Sequence, residues 1–524
     1  MSVENGTLFA SFAASAERHA DEPALRVAGH QLTYAQLLEQ VERLAGRIVE
    51  RHGSRPRVVG LCASRSLAAY VGYLAALRLS ATVVPLGTQL PAERIRSICA
   101  AAGADLLIAD DDPAVAIQAV GADRVLHLPD TADRRWYEEP APRWDEPCAA
   151  APDAVAYTLF TSGSTGAPKG VPIRHRNLTA YLASCIDTYQ VGPGSRLSQT
   201  FELTFDPSVF DMFVAWLSGA LLVVAAPGDT LAPVRYVRDH EITHWFSVPS
   251  VISLARRLRQ LRPGSLPTLR YSLFAGEQLT LAQARAWVEA APGSILENLY
   301  GPTELTVTCT RYRLPADPAR WPRTSNDTVP IGRIYPHLEG VLLGPDGVAG
   351  DDGELCVRGP QRFDGYLDGG QNARRFVSYD GRPATETEPD RHAWYRTGDR
   401  VRLEDGELVH LGRLDDQVKI HGYRVELGEI ESVLRRHSPV EDVVVLALPD
   451  PAGIALHAVY TGDAVDEAVL AAAVARHLPP YMAPERYHRV QHLPLNGNGK
   501  IDRGRLAAGI HTPQEISVQH TPAR

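Results

Sequence analysis

The sequence predicts an α/β chain: a large N-terminal region of parallel sheets covered by helices, then a small α+β domain. Three observations carry this. Strand and helix patterns alternate through the first four hundred residues, the rhythm of βαβ units. The run AVAYTLF (154–160) is apolar but for one threonine, as a buried strand is. From about residue 396 the pattern changes to short alternating strands with Asp-Gly turns.

In chain order, TYAQLLEQVERLAGRIVER (33–51) has apolar residues at helical spacing and RVVGLCA (57–63) reads as a strand. SLAAYVGYLAALRLS (66–80) is a helix and ATVVPL (81–86) a strand. The Pro- and charge-rich stretch 128–147 reads as a surface connection, and 315–330 and 382–393 as exposed loops. MFVAWLSGALLVVAA (212–226) is too short to span a bilayer. It reads as a buried helix, a turn at Ser218-Gly219 and a core strand. In the last part, 429–438 is a helix, 440–449 a strand and 468–479 a helix. The domains expected are 1–414, 415–510 and a polar tail, 511–524.

Composition narrows the function. The chain has 524 residues, 44% hydrophobic and 22% charged, with a net charge of −9. That balance speaks against a nucleic-acid binder, which needs a basic excess. The six cysteines are scattered, with no paired spacing for zinc; free thiols in a reducing cytoplasm fit them. The N-terminus carries no basic region followed by a long apolar stretch. His240 and His244 stand four apart, but RDHEITHWF reads as a helix end running into a strand rather than a metal pair.

TSGSTGAPKG (161–170) packs four hydroxyls, three glycines and a lysine into ten residues directly after the apolar run. A linker or turn explains the glycines but not the lysine. Backbone N–H groups freed by glycine, with hydroxyls and an ammonium, wrap phosphate. The stretch lacks the GxxxxGK[ST] spacing of a Walker loop. FDPSVFD (205–211) puts aspartate in an apolar context, and NLYGPTE (298–304) places Thr and Glu after a Gly-Pro turn. YRTGD (395–399) ends in aspartate at a turn, GRLDDQVKIHGYRVELGEIE (412–431) is dense in charge, and NGNGKIDR (496–503) sets one lysine in a glycine-rich loop.

Taken singly these are turns or solvated faces. In their joint order, with LPPYMAP (478–484), the chain resembles the adenylate-forming superfamily, and specifically the amino-acid adenylation domains of nonribosomal peptide synthesis. The resemblance runs from LTYAQL (32–37) past Lys500. It implies a large adenylate-forming core with a small β subdomain, and a mobile C-terminal lid hinged at Asp415. It implies that an acid and ATP form an acyl-adenylate and pyrophosphate, with Mg²⁺ as cofactor. The acyl group then passes to the phosphopantetheine thiol of a separate carrier protein, since only 24 residues follow Lys500. A cytoplasmic monomer working with neither nucleic acid nor membrane is expected.

The resemblance also implies roles. Thr161, Ser162, Gly163, Ser164, Thr165, Gly166 and Lys169 would wrap the leaving pyrophosphate. Lys500 would bridge the substrate carboxylate and α-phosphate, Thr303 would bond that phosphate, and Glu304 would hold Mg²⁺. Tyr300 and the backbone around Gly276 would border the adenine, and Glu277, Asn298 and Gly301 would join the nucleotide-binding set. Asp399 would accept from the ribose hydroxyls beside Arg413, and Lys419 would serve the thiol-transfer step. Asp206 would pair with a substrate ammonium; an N-cap before the helix PSVFDMFVAW is the alternative the sequence alone leaves open. Pro207, Phe210, Ser247, Leu273, Ala275, Leu299, Val307 and Thr308 would line the rest of the pocket. None of those eight is charged, which predicts an apolar or small side chain on an amino acid, with non-proteinogenic and β-amino acids compatible. His421 stands where the family has arginine, and GPQRFDGY (359–366) departs from its usual form. The rivals are an acyl- or aryl-CoA ligase of the same superfamily and an inactive nucleotide-binding scaffold.

Overall fold

The structure is a computed structural model. It describes residues 6–110, 112–130, 134–163, 168–382, 384–415, 417–420, 422–437, 439–450, 453–494 and 501–511. The chain divides into two compact units. The first holds residues 1–88, 98–160 and 170–414; the second holds 89–97, 161–169 and 415–524.

In the first unit the alternating patterns become two sheets. One has six strands, of which Val58–Cys62, Thr82–Pro85, Leu106–Ala109, Val125–His127 and Val155–Thr161 pair parallel. The other has nine, parallel at its centre and antiparallel at both edges. The helix predicted over 33–51 spans Tyr34–His52, started by a Thr33–Gln36 capping box. The helix Leu67–Arg78 is buried on every side, which accounts for its apolar composition all round. The 212–226 stretch divides as expected: a helix Pro207–Leu217, a turn with Gly219 at φ +79°, and a strand Leu221–Val224. The stretch 238–246 runs from the end of helix Pro233–Asp239 into a strand that begins at His244, as expected. All six cysteines are free.

A third, antiparallel sheet departs from the expectation. The change of pattern near 396 marks this sheet, not the second unit. The strands Trp394–Glu404 and Glu407–Arg413 form a hairpin that pairs with Asp352–Arg358. The hairpin signal is local, whereas its partner lies some forty residues earlier.

The second unit has its own apolar cluster, built from Ile420, Val425, Ile430, Val445 and Val474 among others. The strands Val440–Asp450, Gly453–Gly462 and Arg486–Arg489 form its sheet, with helices Leu427–Arg435 and Glu467–His477. The segments 89–97 and 161–169 belong to this unit rather than to a 1–414 domain, because their polar groups bond there. Arg94 pairs with Glu429, and Ser162 Oγ donates to the Arg424 carbonyl at 2.7 Å. Among the described residues no helix is long and apolar enough to cross a membrane.

Candidate active site

In the first unit the predicted residues gather beyond the C-terminal ends of the parallel strands, where open α/β sheets present their ligand crevices. The strands His244–Ser247, Tyr271–Phe274 and Ile295–Tyr300 pair in parallel in that order. They deliver Ala275, Gly276 and Tyr300 to one edge. Gly276 has φ +90°, a conformation glycine reaches without steric cost.

The strongest polar cluster centres on Asp399, which is 3% exposed. Its carboxylate accepts from Tyr300 Oη at 2.6 Å, Arg413 Nη1 at 3.0 Å and His410 Nε2 at 3.1 Å. Burial, then the Asp399 charge, pushes the Tyr300 hydroxyl well above its ordinary pKa, so it stays a donor. His410 was not legible in the motifs. Its Nδ1 lies 3.2 Å from Gln278 Nε2, an amide donor, so the other ring nitrogen carries the proton toward Asp399.

Thr303 and Glu304 sit in the short 3₁₀ turn Thr303–Leu305. Glu304 is fully buried, and its Oε1 accepts from Tyr366 Oη at 2.7 Å. The turn is closely built. A Cβ on Gly301 would lie 2.5 Å from Thr308 Cα. Thr306 and Val307 both hold positive φ, +59° and +69°, strain that persists only where surroundings impose it. The buried Gln361 amide braces it here: the two N–H groups of Nε2 are shared among the carbonyls of Leu305 (3.0 Å), Thr308 (2.8 Å) and Thr306 (3.3 Å). Gln361 and Tyr366 both come from the 359–366 segment that departs from the family's usual form. Their functions there were not visible in the sequence.

Asn298 donates through Nδ2 to the carbonyls of Val329 (3.0 Å) and Pro330 (2.9 Å), while its buried Oδ1 has no partner among the described residues. Glu277 Oε2 instead accepts from the Ser250 backbone N–H at 2.9 Å, at the start of a neighbouring helix.

Asp206 occupies the N-cap position of helix Pro207–Leu217, yet its side chain makes no capping bond. It is 9% exposed, and its charge acts on the buried Tyr157 hydroxyl. Asp211, the other aspartate of the stretch, is 1% exposed, and burial lifts its carboxyl far above the carboxylate range. Phe210, Leu273, Ala275, Leu299 and Val307 share one core cluster. The hydroxyl of Thr308 bonds Tyr335 Oη (2.7 Å) and Tyr181 Oη (3.2 Å).

Ser247 does not join them. Strand alternation turns it to the opposite face, where its Oγ accepts from Trp245 Nε1 at 2.9 Å, within the second core cluster. Phe246 stands in register with Leu273 and packs on Phe210 with ring centroids 5.1 Å apart. Phe246 lies in the same core cluster as Phe210, Leu273 and Leu299, whereas Ser247 bonds toward the other face, as strand alternation dictates.

The remaining predicted residues belong to the second unit. Ser162 Oγ also accepts from the Glu426 backbone N–H at 3.1 Å, and the Gly163 N–H reaches Glu429 Oε2 at 3.3 Å. Lys169, 6% exposed, has its Nζ 3.5 Å from Glu426 Oε1. Lys419 is half-buried in strand Gln417–Ile420, opposite Arg424, and Asp415 accepts from the Gln417 N–H at 3.3 Å. Ser164, Thr165, Gly166, His421 and Lys500 lie outside the described residues.

The first unit's sheets thus carry a buried carboxylate cradle, a Thr-Glu turn followed by two residues of positive φ, and a buried aspartate at a helix start. Comparison with known proteins identifies the family. Residues 12–367 match the model of the AMP-binding enzyme family, and 429–500 that of the AMP-binding enzyme C-terminal domain. The chain belongs to the AMP-binding enzyme family. It is similar to the L-proline--[L-prolyl-carrier protein] ligase of Streptomyces coelicolor, 36% identical over 97% of each chain. It is also 35% identical to the phosphinothricin tripeptide synthetase PhsC of Streptomyces viridochromogenes over 94% of its own length, but spans 44% of that synthetase. Against a linear gramicidin synthase chain of Brevibacillus parabrevis the span falls to 6%, at 36% identity over 98% of this chain. The structure of the Vibrio cholerae adenylation domain AlmE with glycyl-adenosine-5'-phosphate superposes with a TM-score of 0.82. That match has 29% identity and covers 96% of this chain and 98% of AlmE.

Proposed function

We propose that this chain joins an amino acid to ATP, forming aminoacyl-AMP and pyrophosphate, and passes the aminoacyl group to the phosphopantetheine thiol of a carrier protein. The observation that carries the reading is Asp206, a buried aspartate at the start of helix Pro207–Leu217. An ammonium about 4 Å away at an effective dielectric near 20 is attracted by about 4 kcal/mol before desolvation. That attraction favours an amino acid over the same acid without its amine.

In the first step a substrate carboxylate oxygen attacks the α-phosphorus, and the bond to the β,γ-pyrophosphate breaks in line. Such transfers depend on position and charge stabilisation. Asp399, held by Tyr300, Arg413 and His410, would accept from the ribose hydroxyls. The Asn298 Oδ1, with no partner among the described residues, suits the amino group of adenine. Thr303 would donate to the α-phosphate, and residues 161–169 would take the leaving pyrophosphate. Lys500 would steady the α-phosphate and attacking carboxylate. In the second step the thiol sulfur bonds the acyl carbon and AMP departs, with Lys419 serving that state.

The residues present fit Mg²⁺. The donors at the turn are a carboxylate and a hydroxyl, both hard oxygens, and no group of three or more His, Cys, Asp or Glu residues arranged to hold a metal occurs among the described residues. Mg²⁺ commonly takes one or two carboxylates and completes its shell with phosphates and water. Glu304 would hold it; the ion would neutralise charge on the phosphates.

The test is amino-acid-dependent exchange of pyrophosphate into ATP with matched amino and desamino acids. The wild type should act on the amino member of a pair, and Asp206→Ala should lose that preference. Preference retained in Asp206→Ala would contradict the role of Asp206.

A further inference from the structure

We infer that Arg65 is a positioning residue for the amino-acid step: it fixes the loop 200–206 that presents Asp206. The inference rests on the reading of Asp206 as the ammonium partner. Arg65 follows the strand Val58–Cys62 and precedes Ser66, the N-cap of helix Leu67–Arg78. Asp110 holds both of its neighbours, accepting from the Ser64 N–H at 3.2 Å and from Ser66 Oγ at 3.0 Å. Between them Arg65 has φ +54°, a conformation uncommon for a residue with a side chain and kept only where its surroundings impose it.

The guanidinium reaches from the six-stranded sheet to the nine-stranded one. Nη2 donates to the Thr200 carbonyl at 2.9 Å and Nη1 to the Ala225 carbonyl at 2.6 Å. Those carbonyls stand just past the ends of the paired strands Arg196–Gln199 and Leu221–Val224. Nε donates to Glu202 Oε1 at 3.0 Å, and Ser64 Oγ donates to the other oxygen of that carboxylate. Glu202 opens the turn that leads to Asp206: its carbonyl accepts from the Phe205 N–H at 2.9 Å. Thr200 is held a second time, its Oγ1 donating to the Phe246 carbonyl at 2.8 Å. The loop is thus fixed at Thr200, Glu202 and Phe205, and Asp206 follows directly. An arginine merely solvated at a strand end needs neither a left-handed backbone nor three protein acceptors. The Arg65 side chain is 14% exposed and that of Glu202 33%, so the charge pair alone contributes little. What matters is the planar fork, which serves three acceptors in fixed directions as a lysine does not.

Pyrophosphate exchange with the amino acid the wild type uses best tests this, in Arg65→Ala, Arg65→Lys, Asp206→Ala and the double variant Arg65→Ala/Asp206→Ala. Arg65→Ala should raise the KM for the amino acid by about tenfold, the scale of one hydrogen bond to a charged group, with the KM for ATP nearly unchanged. Arg65→Lys should fall between it and the wild type. In the Asp206→Ala background Arg65→Ala should cost little more, because residues that act through one another are not additive. A clamp that serves stability alone raises both KM values together, or adds its full cost in either background; each of these results overturns the inference and leaves the activity standing. So does an unchanged KM for the amino acid in Arg65→Ala. AMP binding checks that the variants are folded, and should Arg65→Ala fail that check, Arg65→Lys carries the same comparison of the two KM values. Asp206→Ala with the wild-type KM overturns the role of Asp206 and the inference with it. Silence of the wild type toward every amino acid overturns the proposed activity itself.

Discussion

The Tyr300 hydroxyl donates to the Asp399 carboxylate across 2.6 Å, tying the end of a parallel strand to the antiparallel hairpin of the third sheet. A hydrogen bond to a charged acceptor contributes about 1.5–3 kcal/mol. Tyr300→Phe should therefore raise the KM for ATP by about 10- to 100-fold, measured by exchange at saturating amino acid. The KM for the amino acid should change far less.

His410 addresses the same carboxylate from the hairpin's other strand. His410→Phe keeps a ring beside Tyr300 but removes the donor. Its KM for ATP should rise about tenfold, about 1.4 kcal/mol, while His410→Gln, which restores an N–H donor, should recover most of the loss. A structural role alone would not produce that rescue.

Gln361 supports the strained turn that carries Thr303 and Glu304. Gln361→Leu leaves buried carbonyls at Leu305, Thr306 and Thr308 without this donor, at a cost of about 1–3 kcal/mol. Thermal unfolding should begin at a lower temperature, and kcat should fall because the Thr-Glu turn is released.

His175 and His244 are buried, and burial lowers each to about 4. The unfolded chain takes up these protons near 6.5, before the folded one does. The unfolded state thus binds more protons between the two values, and stability rises with pH there. The contribution is fully present above about pH 6.5 and is lost as pH falls toward 4, on the order of 3 kcal/mol per histidine at full extent. In denaturant titrations, the stability gap between wild type and His175→Gln should narrow across that window.

Much of this was legible because it is local. The helix Tyr34–His52 announces itself by period and cap, and the motif residues Asp206, Thr303, Glu304 and Asp399 by short neighbourhoods. What was missed depends on partners far away in sequence. Gln361 serves a turn some fifty residues earlier, and Tyr366 reaches Glu304 across 62 positions. His410 lies 132 residues from Gln278. A hairpin is readable from its turn, but the sheet that recruits 394–413 is not. Ser247 is a different case: one step along a strand reverses the face, so Ser247 and its neighbour Phe246 bond and pack on opposite sides of the sheet.

The most direct measurement is a crystal structure with a stable aminoacyl-adenylate analogue bound. The account predicts the analogue's ammonium within hydrogen-bond distance of the Asp206 carboxylate, its ribose hydroxyls on Asp399, and its side chain against Phe210. An ammonium turned away from Asp206, with another group satisfying it, would contradict the account at its centre.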